Sequence, residues 1–309
     1  MNDYLSFAIG VVCAGLGGEL FVRGAVGLAH WARVSPGVIG ATVAAFATSS
    51  PELSVSVNAA IAGTPQIALG DALGSNVVNV ALILALALVI SGIHSPRTSV
   101  NRDFPVALLV PAVTGALMLD GTLSRIDGLL MLGMFFAWLL VTAIEARRQR
   151  NAADAVLGAH RRWATVLSCV AGLAFLIAAG NLIVAGARGI ALAFGMDEFI
   201  IGATVVAVGT SVPELATTVM AKLRGHDEVG LGTILGSNIF NGLLIIAVAA
   251  VIHPISVNWR EVALTLVFGF LALVFCYPPR SGLIERRRGL LLLALYAGYL
   301  VAILQGKAV

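Results

Sequence analysis

Charge is what this chain has least of. Only 11% of its 309 residues are Asp, Glu, Lys or Arg, where soluble domains carry about a quarter, so an ordinary water-soluble fold is excluded. Lysine is confined to Lys222 and Lys307, and the five histidines fall at the ends of apolar runs or between them. Cys13, Cys169 and Cys276 occur singly, without metal-type spacing, and read as small core residues. Residues 1 to 4 lack a positive n-region and the first apolar run is of spanning length, so no cleavable signal is expected and the N-terminus should stay attached. The pI near 9.0 would suggest nucleic acid in a soluble chain. Here the basic residues lie between apolar runs, and no nucleic-acid partner is expected.

Apolar residues make up 59% of the sequence, with mean hydropathy +0.98. Runs of helix-spanning length recur at about 5–29, 37–62, 66–92, 104–119, 126–146, 164–192, 198–222, 229–253, 259–277 and 288–305. The chain therefore reads as an all-α integral membrane protein with ten transmembrane helices and the lipid bilayer as its solvent. Fourteen of the nineteen Lys and Arg fall in the loops after odd-numbered helices. By the positive-inside rule those loops are cytoplasmic and both termini lie outside, in a multi-pass protein of the plasma (inner) membrane.

The second half repeats the first. "GATVAAFATSSPEL" (40–53) and "GATVVAVGTSVPEL" (202–215) share ten of fourteen residues at an offset of 162. At the same offset "GDALGSNVVN" (70–79) meets "GTILGSNIFN" (232–241) with six identities in ten. Five helices per half invert the second copy, giving two inverted-topology five-helix repeats. The expected division is residues 1–147, a cytoplasmic linker 148–163, and residues 164–309. Such duplications are common in secondary transporters, with the binding site at the repeat interface near the bilayer midplane.

The repeated segments carry polar groups at membrane depth. Pro51 and Pro213 lack an N–H and free the carbonyls of Ala47 and Gly209 if the segments are helical. Thr48 and Glu52, and Thr210 and Glu214, are spaced to share a helix face. Ser75 and Asn79, and Ser237 and Asn241, add hydroxyl and amide oxygens at the same spacing. Every ligand offered is a hard oxygen, which suits Na+, Ca2+ or Mg2+ and argues against metals that prefer sulfur or imidazole. Mg2+ gives up its waters reluctantly, while two glutamates match one dehydrated Ca2+ or two or more Na+. A carboxylate at the bilayer centre costs about 3 kcal/mol or more, and cation binding explains its presence in both copies.

These segments resemble the α-repeats of the cation/calcium exchanger superfamily, whose signature runs approximately G-T-S-x-P-E and then G-S-N-x-x-N or D. The resemblance covers both halves. It implies a Na+/Ca2+ antiporter with ten helices, of which the first and sixth slide over a ligand-bearing core. It implies cation ligation by Thr48, Ser49, Glu52, Ser75 and Asn79, by Thr210, Ser211, Glu214, Ser237 and Asn241, and by the carbonyls of Ala45 and Ala207. Transported Ca2+ and Na+ are then the partners, with no cofactor, no enzymatic activity and no obligatory protein partner expected. Departures from the signature are Ala47 for the usual glycine, and Asp71 and Thr233 where Asn is common. Asn241 stands where the potassium-dependent branch has Asp, so exchange is expected to be K+-independent; the resemblance implies three Na+ per Ca2+, which would make it electrogenic. H+/Ca2+ antiport, in the same superfamily, is the alternative.

Other classes fit less well. A nucleophilic serine needs a base within reach, and with two lysines and peripheral histidines an intramembrane hydrolase lacks one. A passive cation channel needs weak, multi-site occupancy, which two acids around a compact cage do not favour. Ser54, Ser56, Thr217 and Thr218 are expected to back-bond or pack, Gly74 and Gly236 to allow close helix approach, and Glu19 to pair with Arg23.

Overall fold

The computed structural model describes residues 3–152, 162–193 and 198–305. Most of the expected linker, including His160, lies outside them, as does Lys307. Nearly everything described is helical, as lipid requires of backbone that must satisfy its own hydrogen bonds. Helix α1 (Asp3–Ala32) leads to α2 (Pro36–Thr48) and α3 (Ser50–Ile61), which meet at a bend of 43°. Next come α4 (Pro65–Ile90), α5 (Asp103–Leu117) and α6 (Arg125–Ala152). The second half has α7 (Arg162–Ala193), then α8 (Gly202–Thr210) and α9 (Val212–Leu223) meeting at 50°. It ends with α10 (Asp227–Ile252), α11 (Trp259–Cys276) and α12 (Arg286–Gln305).

Among the described residues five helices, α4, α6, α10, α11 and α12, are each long and apolar enough to cross a membrane, and up to seven spans result if each bent pair is one. Helices α4 and α10 are the most enclosed and form the centre. Apolar side chains of α6, α11 and α12 such as Leu129, Phe136, Val267, Phe270 and Leu291 stay exposed on the outside, as lipid-facing surface would be.

The repeat seen in sequence is a repeat of contacts. A Cβ on Gly74 of α4 would come within 2.5 Å of Ala203, and one on Gly236 of α10 would collide with the carbonyl of Ala41, the residue 162 positions before Ala203. The glycines therefore serve close packing of α4 on α8 and of α10 on α2, as expected. Two short antiparallel bridges also join the halves crosswise: β1 (Ile93–His94) pairs with β4 (Leu283–Ile284), and β2 (Thr122–Leu123) with β3 (Ile255–Ser256).

Each inner helix also contains a wide π-helical turn that periodicity does not foretell. These lie at Gly40–Ala44, Val78–Leu84, Gly202–Val206 and Phe240–Ile245, again in register between the halves. Such turns leave backbone groups to be satisfied otherwise and recur at functional sites. Thr42 donates to the Val38 carbonyl at 2.7 Å, Thr204 to that of Ile200 at 2.6 Å, and the Tyr299 hydroxyl to that of Ala203 at 3.0 Å.

Several basic residues that sequence assigns to loops are held in place. Buried Arg102 grips Asp103 at 2.7 and 2.9 Å and Glu145 at 2.6 Å, tying α5 to α6. Lys222 binds Asp227 at 2.9 Å and caps the Gly92 carbonyl at 2.6 Å. Glu19 pairs with Arg23 as expected, and also with Arg224, the residue that follows α9, at 2.6 Å.

The tight α4/α8 contact yields a stability test. Gly74→Ala forces its methyl against the Ala203 backbone, which cannot move away as a side-chain tip could. Overpacking of this kind costs about 1–3 kcal/mol. A lowered thermal unfolding temperature in detergent is expected, with no such loss for Gly133→Ala, whose Cβ would meet nothing within 4 Å.

Candidate cation site

The bends in α2/α3 and α8/α9 are where the site forms. Ser49 and Ser211 occupy the corners with nearly identical backbone, φ −83 ψ 8 and φ −81 ψ 8. Pro51 and Pro213 follow within the first two positions of the next helix, where a missing N–H costs nothing. The Ala47 carbonyl, expected to be free, accepts the Ser50 hydroxyl at 2.8 Å. Glu52 and Glu214 fall in the first turns of α3 and α9, where the positive end of the helix dipole favours a negative charge. Both glutamates are 0% exposed.

The two motifs interlock instead of each forming a separate pocket. Ser49 donates to Glu214 Oε1 at 3.0 Å, and Ser211 donates to Glu52 Oε1 at 3.4 Å. Thr48 lies within reach of Glu214, and Thr210 within reach of Glu52. The local spacing of Thr48 with Glu52 places them on one face, but each acid's hydroxyl partners come chiefly from the opposite repeat. Ser237 adds a bond to Glu214 Oε1 at 3.1 Å. Its counterpart Ser75 turns to the Ala207 carbonyl at 3.4 Å. That carbonyl also faces the Thr210 hydroxyl at 3.3 Å, as the Ala45 carbonyl faces Thr48 at 3.4 Å.

Oxygens remain over. Oε2 of each glutamate and Oδ1 of Asn79 have no hydrogen-bond partner, and neither does either end of the Asn241 amide, though all are buried. Buried polar atoms are almost always satisfied, so unpartnered ones on the repeated motif segments mark a place for a ligand. Among the described residues no three His, Cys, Asp or Glu side chains cluster as a metal centre. A cation here would be held by two carboxylates and neutral oxygens, an arrangement suited to an ion that binds and leaves.

A family model described as "Sodium/calcium exchanger protein" matches residues 3–143 and 164–305. The chain belongs to this family. Among the relatives of this exchanger-family chain, an uncharacterized membrane protein of Methanocaldococcus jannaschii is 32% identical over 94% of both chains. The sodium/calcium exchanger MaX1 of Methanosarcina acetivorans is 26% identical over 97% of this chain and 98% of its own. The solved structure of the sodium-calcium exchanger NCX_Mj soaked with Na+ and Sr2+ superposes with a TM-score of 0.81 at 30% identity, covering 97% of this chain and 98% of that one.

Sequence reasoning overlooked the asparagine of each G-S-N. Asn76 donates to the Asn238 carbonyl at 3.3 Å, and Asn238 donates to the Asn76 carbonyl at 3.2 Å. The Asn238 amide oxygen then accepts from Asn79 at 3.0 Å. This amide clasp pins α4 to α10 where their π-helical turns begin. The signal was present, since both asparagines are repeated at the 162 offset, but nothing in the spacing says they face each other. Ser56 and Thr218, another repeated pair, are buried one turn beyond the glutamates with unpartnered hydroxyls, so they pack without back-bonding.

The clasp and the site respond differently to mutation. Asn238→Leu strands the Asn79 amide nitrogen and the Asn76 carbonyl, and one unsatisfied buried group alone costs about 1–3 kcal/mol. Asn241→Leu removes an amide that has no partner and should cost under about 1.5 kcal/mol. Chemical unfolding of the two variants in detergent should therefore separate them, Asn238→Leu being clearly the less stable.

Proposed function

We propose that the protein is a secondary antiporter that exchanges Na+ for Ca2+ by alternating access. The observation that carries this reading is the glutamate pair: each acid is fully buried, holds a serine of the opposite repeat on one oxygen, and keeps the other unpartnered. Glu52 and Glu214, with Thr48 and Thr210, would hold Ca2+. The hydroxyls of Ser49, Ser211, Ser75 and Ser237, the amide oxygens of Asn79 and Asn241 and the carbonyls of Ala45 and Ala207 complete separate oxygen pockets for Na+. Both ions need the glutamates, so each displaces the other.

Electrostatics makes exchange obligatory. An empty site leaves two negative charges away from water, at several kcal/mol per uncompensated ion, so the empty carrier does not cross. Ca2+ or several Na+ offset both charges, so a loaded site carries no uncompensated negative charge. Helices α1 and α7 are suited to slide over it as one unit, because they pack through glycines. A Cβ on Gly24 would fall 2.6 Å from the Cys169 nitrogen, one on Gly17 would fall 3.0 Å from the Gly172 carbonyl, and Ser168 donates to the Leu20 carbonyl at 2.7 Å.

The architecture that goes with this reading is ten membrane helices in two inverted repeats, 1–147 and 164–309, joined by 148–163 on the cytoplasmic side. The reciprocal contacts of the two halves support it, and the basic loops support termini outside the plasma membrane.

With three Na+ replacing one Ca2+, one positive charge moves per cycle, and a charge crossing the membrane exchanges about 2.3 kcal/mol per 100 mV. Reconstituted vesicles should take up Ca2+ when loaded with Na+, faster with the inside held positive by a potassium and valinomycin clamp, after potassium itself is shown not to be transported. Glu52→Gln and Glu214→Gln should each abolish uptake in a folded protein. Uptake driven at full rate by a proton gradient alone, and indifferent to voltage, would replace this reading with H+/Ca2+ antiport.

A further inference from the structure

The relation between the halves fails at one buried position that carries charge. Asp71 stands in α4 where Thr233 stands in α10, and neither side chain is accessible. Thr233 turns back on its own helix, donating to the Val229 carbonyl at 2.8 Å. Asp71 instead reaches across the repeat interface, where its Oδ1 accepts the Thr210 hydroxyl at 3.0 Å. Its Oδ2 is buried without a partner, and among the described residues it forms no ion pair. Gly202 allows this reach, since a Cβ there would come 2.9 Å from the Asp71 nitrogen and push α8 away.

The surroundings are all hard oxygens. Beside Asp71 the Thr210 hydroxyl lies 3.1 Å from the Val206 carbonyl and 3.3 Å from that of Ala207, which Ser75 also approaches at 3.4 Å. On the opposite flank Thr48 meets the Ala44 and Ala45 carbonyls in the same way, at 3.0 and 3.4 Å, with no acid at the position equivalent to Asp71. The two flanks thus share their neutral oxygens and differ by one carboxyl. Asp71 does not join the glutamates in a single metal cluster, so any cation it holds sits beside theirs.

The geometry points to Asp71 as a ligand of a Na+ position built with Thr210, Ser75 and the Ala207 carbonyl, on one flank of the site only. This assignment rests on the exchanger reading and adds a residue to it. One carboxyl among neutral oxygens matches a monovalent hard cation, and a second divalent ion would be repelled by Ca2+ between the glutamates.

The purified full-length protein in detergent provides the test, because an ion that binds the folded state raises the unfolding temperature by an amount set by its concentration relative to its dissociation constant, the concentration of half-saturation. Na+ and Ca2+ are titrated separately, with choline chloride holding ionic strength. Asp71→Asn and Asp71→Thr are measured together, the threonine copying what α10 accommodates at the equivalent place, so that the result does not depend on one variant folding. Half-saturation by Na+ should rise about fivefold or more, a loss of about 1 kcal/mol, while half-saturation by Ca2+ without Na+ changes less than about twofold. The exchange Asp71→Thr with Thr233→Asp moves the acid to the other flank and should restore the Na+ response. Variants that keep the wild-type Na+ half-saturation, or lose Na+ and Ca2+ responses equally, overturn this assignment alone. A wild-type protein that responds to Ca2+ and not to Na+ overturns the exchanger reading along with it.

Discussion

Two glutamates with no access to water, each hydrogen-bonded by a serine from the other half of the chain, are the constraint on which the rest of the structure depends. Carboxylates at membrane depth cost about 3 kcal/mol each on insertion scales, and two together repel. The fold answers with dipoles in place of counter-charges. Both acids open a helix, both accept hydroxyls, and among the described residues neither forms an ion pair with Lys or Arg. Dipoles lessen the penalty without cancelling the charge. Cancellation is left to something that can enter and depart.

The same constraint explains why the packing is so close. Serines at two bends can reach across only if α8 lies against α4 and α2 against α10, which is what Gly74 and Gly236 permit. The Asn76 and Asn238 clasp then fixes the separation of the two central helices. Charged residues at the periphery, such as Arg102 with Asp103 and Glu145, brace helices around this centre and take no part in it.

Much of this was legible in the sequence because duplication does what a homologous sequence would otherwise do. The 162-residue offset singled out Glu52 and Glu214, the proline-marked bends and the G-S-N segments, and the structure brings those residues together. What the sequence did not disclose was who touches whom. Helical spacing places Thr48 with Glu52, yet each acid's hydroxyl partners come mostly from the other repeat, and no one-dimensional pattern encodes that exchange. The π-helical turns leave no periodic trace, since they disturb the 3.6-residue period only locally. Asp71 looked like a departure from a family signature, and only its contact with Thr210 shows that it belongs to the centre. Arg102 was counted as loop charge because burial of a single arginine depends on where Asp103 and Glu145 end up.

The exchange of serines has a consequence for how the molecule is made. A chain emerges from the ribosome beginning at its N-terminus, so α3 and Glu52 reach the membrane well before Ser211 and Thr210 exist. Through that interval the first half holds an acid whose principal partners have not been synthesised. Each half supplies hydroxyls to the other's buried acid, and Glu52 meets those partners only when α8 and α9 arrive. The two halves are thus alike in sequence and complementary in structure, each completing the polar interior of the other.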